Sequence, residues 1–165
     1  MITPLLFFIV MLIFSPKQEK INKLNINTEA VDLVKISPPA LQVYHAINKY
    51  APENDIPYKI AFGVAKMETG YFGPLDLTYD YRQTSFAGAE GGMQFMIKTA
   101  RWVAKDETLT RKEIRHNIDL NVELSMKYLR MLNDRYSNWS KTLGYYNTGY
   151  PRVNSYAVAI VKTMY

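Results

Sequence analysis

The segment Asp55-Ile56-Pro57-Tyr58-Lys59-Ile60-Ala61-Phe62-Gly63-Val64-Ala65-Lys66-Met67-Glu68-Thr69-Gly70 settles the secondary-structure class of this chain. Ile60, Val64 and Met67 recur at i, i+4 and i+7, the spacing of one helical face and not of a strand. Asp55 is the expected cap of this helix, with Pro57 in the first turn, where a missing N–H is harmless; Gly70 is its natural stop. Outward from this segment the helical period repeats. It predicts helices over 40–50, 97–105, 119–136, 140–147 and 153–164, with a capping-box pattern at Thr110-Arg111-Lys112-Glu113 between the second and third of these. The 119–136 helix carries Val122, Met126, Leu129 and Leu132 at helical spacing. Between Tyr71 and Phe95 the chain is rich in Gly, Tyr and Asp without a period, which predicts irregular structure or a short hairpin. The fold class is therefore mainly α (α+β), with at most a small β element.

The 165 residues are 48% apolar and 21% charged, too apolar for a disordered chain and of a size for one compact domain. There is no cysteine, which excludes disulfides, thiolate metal sites and a cysteine nucleophile; two histidines are too few for a multi-histidine metal site. Residues 1–15 contain an unbroken apolar run from Leu5 to Phe14, short for a membrane span and suited to a signal-peptide h-region. No Lys or Arg precedes that run, Pro16 follows Ser15, and Lys17, Lys20 and Lys23 come after it, so an uncleaved membrane anchor is the alternative. By the positive-inside tendency those lysines would hold the C-terminal part of an anchored chain in the cytoplasm. Export to the periplasm or cell envelope, with or without membrane attachment, is the expected location, and association with a phage particle is the alternative. Residues 16–38 read as a polar tether ending at Ser37-Pro38-Pro39, which leaves 39–165 as the domain. The net charge of +5 favours an anionic partner. An anionic wall fits it, and with no nucleic-acid motif beside the charge, no nucleic-acid partner is expected.

Glu68 stands out on physical grounds. At 100° per residue it shares a face with Ala61, Val64 and Ala65, in the last turn of its helix. Lost hydration and the negative end of the helix dipole both favour the protonated carboxyl, which is the state a general acid needs. An acid so placed can also simply reach solvent or pair with a lysine. Downstream, Ser85-Phe86-Ala87-Gly88-Ala89-Glu90-Gly91-Gly92-Met93-Gln94 contains three glycines and two alanines, permitting tight turns and close approach of a ligand to backbone. It lacks the Gly-Lys-Ser/Thr ending of a phosphate-binding loop.

With these segments in view, the sequence resembles the lytic transglycosylases of the soluble lytic transglycosylase type, related to goose-type lysozymes. Glu68-Thr69-Gly70-Tyr71 is similar to the family's Glu-Ser-Gly-aromatic motif. Ser85, Gly88, Ala89, Gly91, Met93 and Gln94 match a Ser-x-x-Gly-Ala-x-Gly-Leu-Met-Gln motif, with Gly92 in place of Leu. Tyr145-Tyr146-Asn147-Thr148-Gly149 is similar to an Ala-Tyr-Asn-x-Gly motif. Weaker echoes are Lys98-Thr99-Ala100, Asn121-Val122 and Tyr128-Leu129. The chain departs from the family at Ile97, where Pro is frequent, at Gly144, where Ala is usual, and at Tyr150-Pro151-Arg152, where the turn is more glycine-rich.

The resemblance implies a lysozyme-like single domain, a monomer, acting on peptidoglycan. It implies Glu68 as the catalytic acid/base, Ser85 and Gln94 as hydrogen-bonding groups in a glycan cleft, Met93 as a cleft-lining residue, and Tyr146 with Asn147 on the far side. The implied chemistry needs no metal or organic cofactor. The segment between Glu68 and Ser85 is longer than usual and carries Asp76 and Asp80, either of which could serve as a second carboxylate in a hydrolase. A non-catalytic wall-binding component of a secretion or phage apparatus is the reading from another class.

Overall fold

A computed structural model describes residues 33–162. The apolar N-terminal run and most of the predicted tether lie outside the described residues, as do the last positions of the 153–164 helix. A compact unit begins at Pro38. Its elements are α1 (Pro39–Glu53), α2 (Tyr58–Thr69), β1 (Ala89–Glu90), β2 (Phe95–Met96), α3 (Ile97–Ala104), α4 (Arg111–His116), α5 (Ile118–Tyr136), α6 (Trp139–Thr148) and α7 (Ser155–Lys162). Among the described residues no helix is long and apolar enough to cross a membrane.

The long helix α5 is the hub: it packs against α1 and α6, with α3 and α4 on its N-terminal half. The predicted stripe of Val122, Met126, Leu129 and Leu132 is buried. Asn117 starts the helix by accepting the Leu120 N–H at 3.1 Å. Truncating a fully buried side chain such as Leu129 to Ala costs about 2–5 kcal/mol, because the neighbouring helices cannot collapse fully onto the gap. The capping box forms as the spacing predicts. The Glu113 N–H donates to the Thr110 hydroxyl, and the Thr110 N–H to the Glu113 carboxylate at 2.8 Å.

Two details of the α2 expectation are corrected. Asp55 is not its cap: it sits at φ 52°, with its carboxylate 3.4 Å from the Arg130 guanidinium, and Pro57 occupies the cap position without a side-chain hydrogen bond. Met67 is exposed, and the buried face is Ile60, Ala61, Val64 and Ala65. Four consecutive-turn positions with two alanines let α1 and α7 approach closely, so the stripe is narrower than the spacing of large side chains suggests. Gly70 ends α2 at φ 72° as expected, returning its N–H to Lys66 O at 2.9 Å.

Residues 71–88 are irregular, and β1 and β2 pair antiparallel in register Ala89 with Met96 and Glu90 with Phe95. This hairpin is the small β element. Its tip, Gly91 to Gln94, is laid onto the start of α5. A Cβ on Gly91 would stand 2.7 Å from Asn121 Nδ2 and 2.9 Å from the Ile114 carbonyl, and its φ is 76°, so glycine is required on both counts.

Candidate active site

The end of α2, the hairpin tip, α6 and the start of α7 converge through hydrogen bonds. Glu68 is half-buried in the last turn of α2. Its Oε1 accepts a 2.7 Å hydrogen bond from the Tyr156 hydroxyl on α7. Burial pushes the Glu68 carboxyl up to about 7; the Tyr156 bond, which favours the ionised form, holds it back only in part. Tyr156 itself is buried, and burial beside Glu68 drives its hydroxyl well above the usual phenol range, so it remains a donor. A carboxyl poised near neutrality is able both to give and to take a proton at physiological pH.

Thr69, next to Glu68, is buried and ties α2 to the hairpin tip. Its hydroxyl lies 2.8 Å from the Tyr79 hydroxyl and donates to the Gly92 carbonyl at 2.9 Å. Asn121 on α5 holds the tip from the other side. Its Oδ1 accepts the Met93 N–H and its Nδ2 donates to the Glu90 carbonyl, both at 2.9 Å. Tyr146 on α6 closes the ring by donating to the Met93 carbonyl at 2.8 Å. Its ring stacks on Phe95 and leans on Tyr128. Gln94 follows with φ 48°, a conformation costly for a non-glycine residue. The surrounding bonds over-determine it: its amide donates to Gly91 O at 2.9 Å and to Gln83 O at 3.1 Å.

Below the tip lies a second carboxylate. Glu90 is fully buried, and its oxygens accept from Arg111 Nε at 2.6 Å, Arg115 Nε at 2.7 Å and the Thr84 hydroxyl at 2.7 Å. Burial alone would raise its pKa; the hydrogen bonds from Arg115, Thr84 and Arg111 outweigh burial and bring it down to about 2. At neutral pH it is an anion that fastens the hairpin to α4.

The Transglycosylase SLT domain model matches residues 45–159, well over half of the chain. This chain belongs to the SLT domain family. Solved structures of similar fold include an inactive mutant of lytic transglycosylase Slt from Pseudomonas aeruginosa, with TM-score 0.54 and 19% identity over 64% of this chain and 16% of that one. The 70 kDa soluble lytic transglycosylase, from Escherichia coli and in a complex with bulgecin A, gives TM-score 0.55 and 20% identity over 72% of this chain and 18% of that chain. The chain thus spans under a fifth of the length of these proteins. No curated protein matches it. The mainly α, lysozyme-like architecture expected from the sequence is the fold these SLT structures share.

Within this SLT domain the predicted site residues fall as follows. Glu68, Gln94 and Tyr146 are linked through Thr69, Gly92 and Met93 in the network above. Asn147, at the exposed end of α6, accepts from Asn154 Nδ2 at 3.1 Å. Ser85 is part-buried, and its hydroxyl accepts the Ala89 N–H at 2.9 Å, stapling the turn that leads into β1. Met93 is a correction: its side chain is fully buried in the core, not lining a cleft, because the Asn121 and Tyr146 bonds turn its backbone toward the site side and its thioether inward. Asp76 and Asp80 each close a local turn. Asp76 accepts from Thr78, and Asp80 from the Arg82 N–H at 2.9 Å with the Arg82 guanidinium 3.6 Å away. Tyr156, Asn121 and the Glu90 cluster are the partners that sequence reasoning missed; Asn121 alone left a trace, as a weak motif echo.

Proposed function

We propose that this chain is a peptidoglycan lytic transglycosylase with Glu68 as its single acid/base. The observation that carries the reading is the Glu68 carboxyl, desolvated to a pKa of about 7 at the end of α2 beside the Gln94 tip. In the protonated state Glu68 donates to the glycosidic oxygen between N-acetylmuramic acid and N-acetylglucosamine, breaking the bond at the muramyl anomeric carbon. The substrate's acetamido group assists at that carbon. The Glu68 carboxylate then takes the proton of the muramyl C6 hydroxyl, whose oxygen closes onto the anomeric carbon as a 1,6-anhydro ring. No water is consumed, the proton is returned to Glu68, and no second carboxylate is required; the engagement of Asp76 and Asp80 in their own turns is consistent with this. Gln94 and Asn147 offer amide groups, and Tyr146 a polar aromatic edge, to orient the sugars. Ser85 contributes by shaping the loop. Action on the wall places the chain in the periplasm or envelope, with the apolar N-terminal run as export signal or anchor.

The test is mass spectrometry of the soluble products released from purified peptidoglycan by the full chain and by Glu68→Gln. Anhydro-muramyl products from the parent and none from the variant are expected. Products heavier by one water would make the enzyme a hydrolase, and a Glu68→Gln variant as active as its parent would sink the assignment.

A further inference from the structure

The turn between α6 and α7 borders an open concavity of about 530 Å³ lined by Thr148, Tyr150, Arg152, Val153 and Asn154. Its backbone is pinned. Gly149 caps α6 at φ 75°, the Tyr150 N–H donates to the Thr148 hydroxyl at 3.3 Å, and the Arg152 N–H donates to Tyr150 O at 2.8 Å. The Arg152 carbonyl is pressed onto α6 so closely that a Cβ on Gly144 would lie 1.9 Å from it. The side-chain end of Arg152 is different. It is exposed and makes no ion pair or hydrogen bond among the described residues, whereas the six other arginines described are engaged. Arg82, Arg111, Arg115 and Arg130 face carboxylates, Arg101 a carbonyl, and Arg135 the ring of Tyr136. The polar groups of Thr148 and Asn154 are occupied within the protein; Arg152 is the one charged residue among those lining the concavity, and its guanidinium is without a partner among the described residues.

The concavity adjoins the site. Asn154 in its lining donates to Asn147, and Tyr156, two residues on, donates to Glu68. We propose that this concavity is a subsite for a carboxylate carried by the substituent on the muramyl residue, received by Arg152. The inference rests on the transglycosylase reading for its substrate. A guanidinium presents a planar fork of donors that matches a carboxylate in two-point contact, and the exposed faces of Tyr150 and Val153 suit the short alkyl or peptide arm that would bear it. Two sources share this chemistry: the acidic groups of the stem peptide, and the bare lactyl carboxylate of a strand without stems.

The experiment is a binding titration by NMR on the full chain with four soluble ligands. They are the disaccharide tetrapeptide, the same compound with its stem carboxylates amidated, the disaccharide with a free lactyl carboxylate, and its lactyl amide. The acid member of at least one pair should bind about three- to tenfold more tightly than its amide at low salt. Arg152→Gln should erase that difference, and Arg152→Lys should retain part of it. The pair that discriminates identifies the source. Equal affinities within both pairs, discrimination that survives in Arg152→Gln, or binding of none of the four ligands would each overturn the proposal. Failure of the transglycosylase reading shows separately, as absent anhydro products from whole wall, while acid-against-amide discrimination stays measurable.

Discussion

Glu68 and Glu90 lie 22 positions apart in the chain and are both withdrawn from water, Glu90 completely. The more deeply buried of the two is the one that stays ionised. Glu90 accepts from two guanidiniums and a hydroxyl, and its carboxyl sits at about 2. Glu68 accepts from a single neutral phenol and sits at about 7. Burial pushes both in the same direction; the number and charge of the donors decides which way each ends. The hairpin end of the domain thus fixes an anion as a fastener, while the α2 end keeps a carboxyl that can change state. One substitution at each carboxyl should separate those roles.

The largest effect is expected at Glu68→Gln, with turnover of peptidoglycan reduced by about 10²–10⁴-fold and the fold intact. The same variant tests the cause. A carboxyl raised from an ordinary value near 4.5 to about 7 makes the native state bind more protons than the unfolded state over that interval. Its contribution to stability is full below about 4.5 and is lost as pH rises through about 7. Glu68→Gln removes that loss, so its unfolding free energy relative to the parent should be higher at pH 8 than at pH 4. An equal difference at the two pH values would remove desolvation as the cause.

At Glu90→Gln stability should fall by about 2–4 kcal/mol in urea unfolding at pH 7, since charge-assisted bonds inside the protein are replaced by neutral ones. Here the sign reverses. Glu90 is depressed, so its contribution is present above about 4.5 and is lost as pH falls toward about 2. The parent should therefore lose stability in acid that the variant no longer has to lose. Unchanged stability at pH 7 would mean that the clamp only orients the hairpin. Smaller again is Gly144→Ala, at about 1–3 kcal/mol, because a methyl group meets the Arg152 carbonyl and the turn must shift. An unaltered melting temperature would show that the turn yields freely.

The difference between the two carboxylates also marks what a sequence can reveal. Helices were legible because apolar period survives folding: α5 buries the residues its spacing names. Glu68 was legible for the same reason, as a polar break on an apolar face at a helix end. The cap of α2 was misread, since Asp55 resembles a capping residue but the chain passes it in a left-handed turn and starts the helix behind Pro57. Met67 and Met93 were misjudged because a methionine looks alike in a core and at a surface. Glu90 reads as one polar residue in a glycine-rich loop, and Arg115, 25 positions on, as part of a solvated charge run. Tyr156 is one tyrosine among thirteen, meeting Glu68 across 88 positions. Such partnerships have no period to announce them.

Tyr156→Phe is the finest test of the contrast, because it alters the donor set of Glu68 and almost nothing else. The ring remains to fill the buried site, so stability should change little. The lost hydroxyl bond favoured the ionised carboxylate, and without it the protonated form gains. The basic limb of the pH–rate profile, where Glu68 loses its proton, should move upward by about one unit. Turnover at pH 5, where Glu68 is protonated in both proteins, should stay within a few-fold of the parent. A limb that moves downward would mean that Tyr156 holds Glu68 protonated. A limb that stays put, with turnover lowered equally at every pH, would make Tyr156 a positioning residue for the carboxyl, and the state of Glu68 would then rest on desolvation alone.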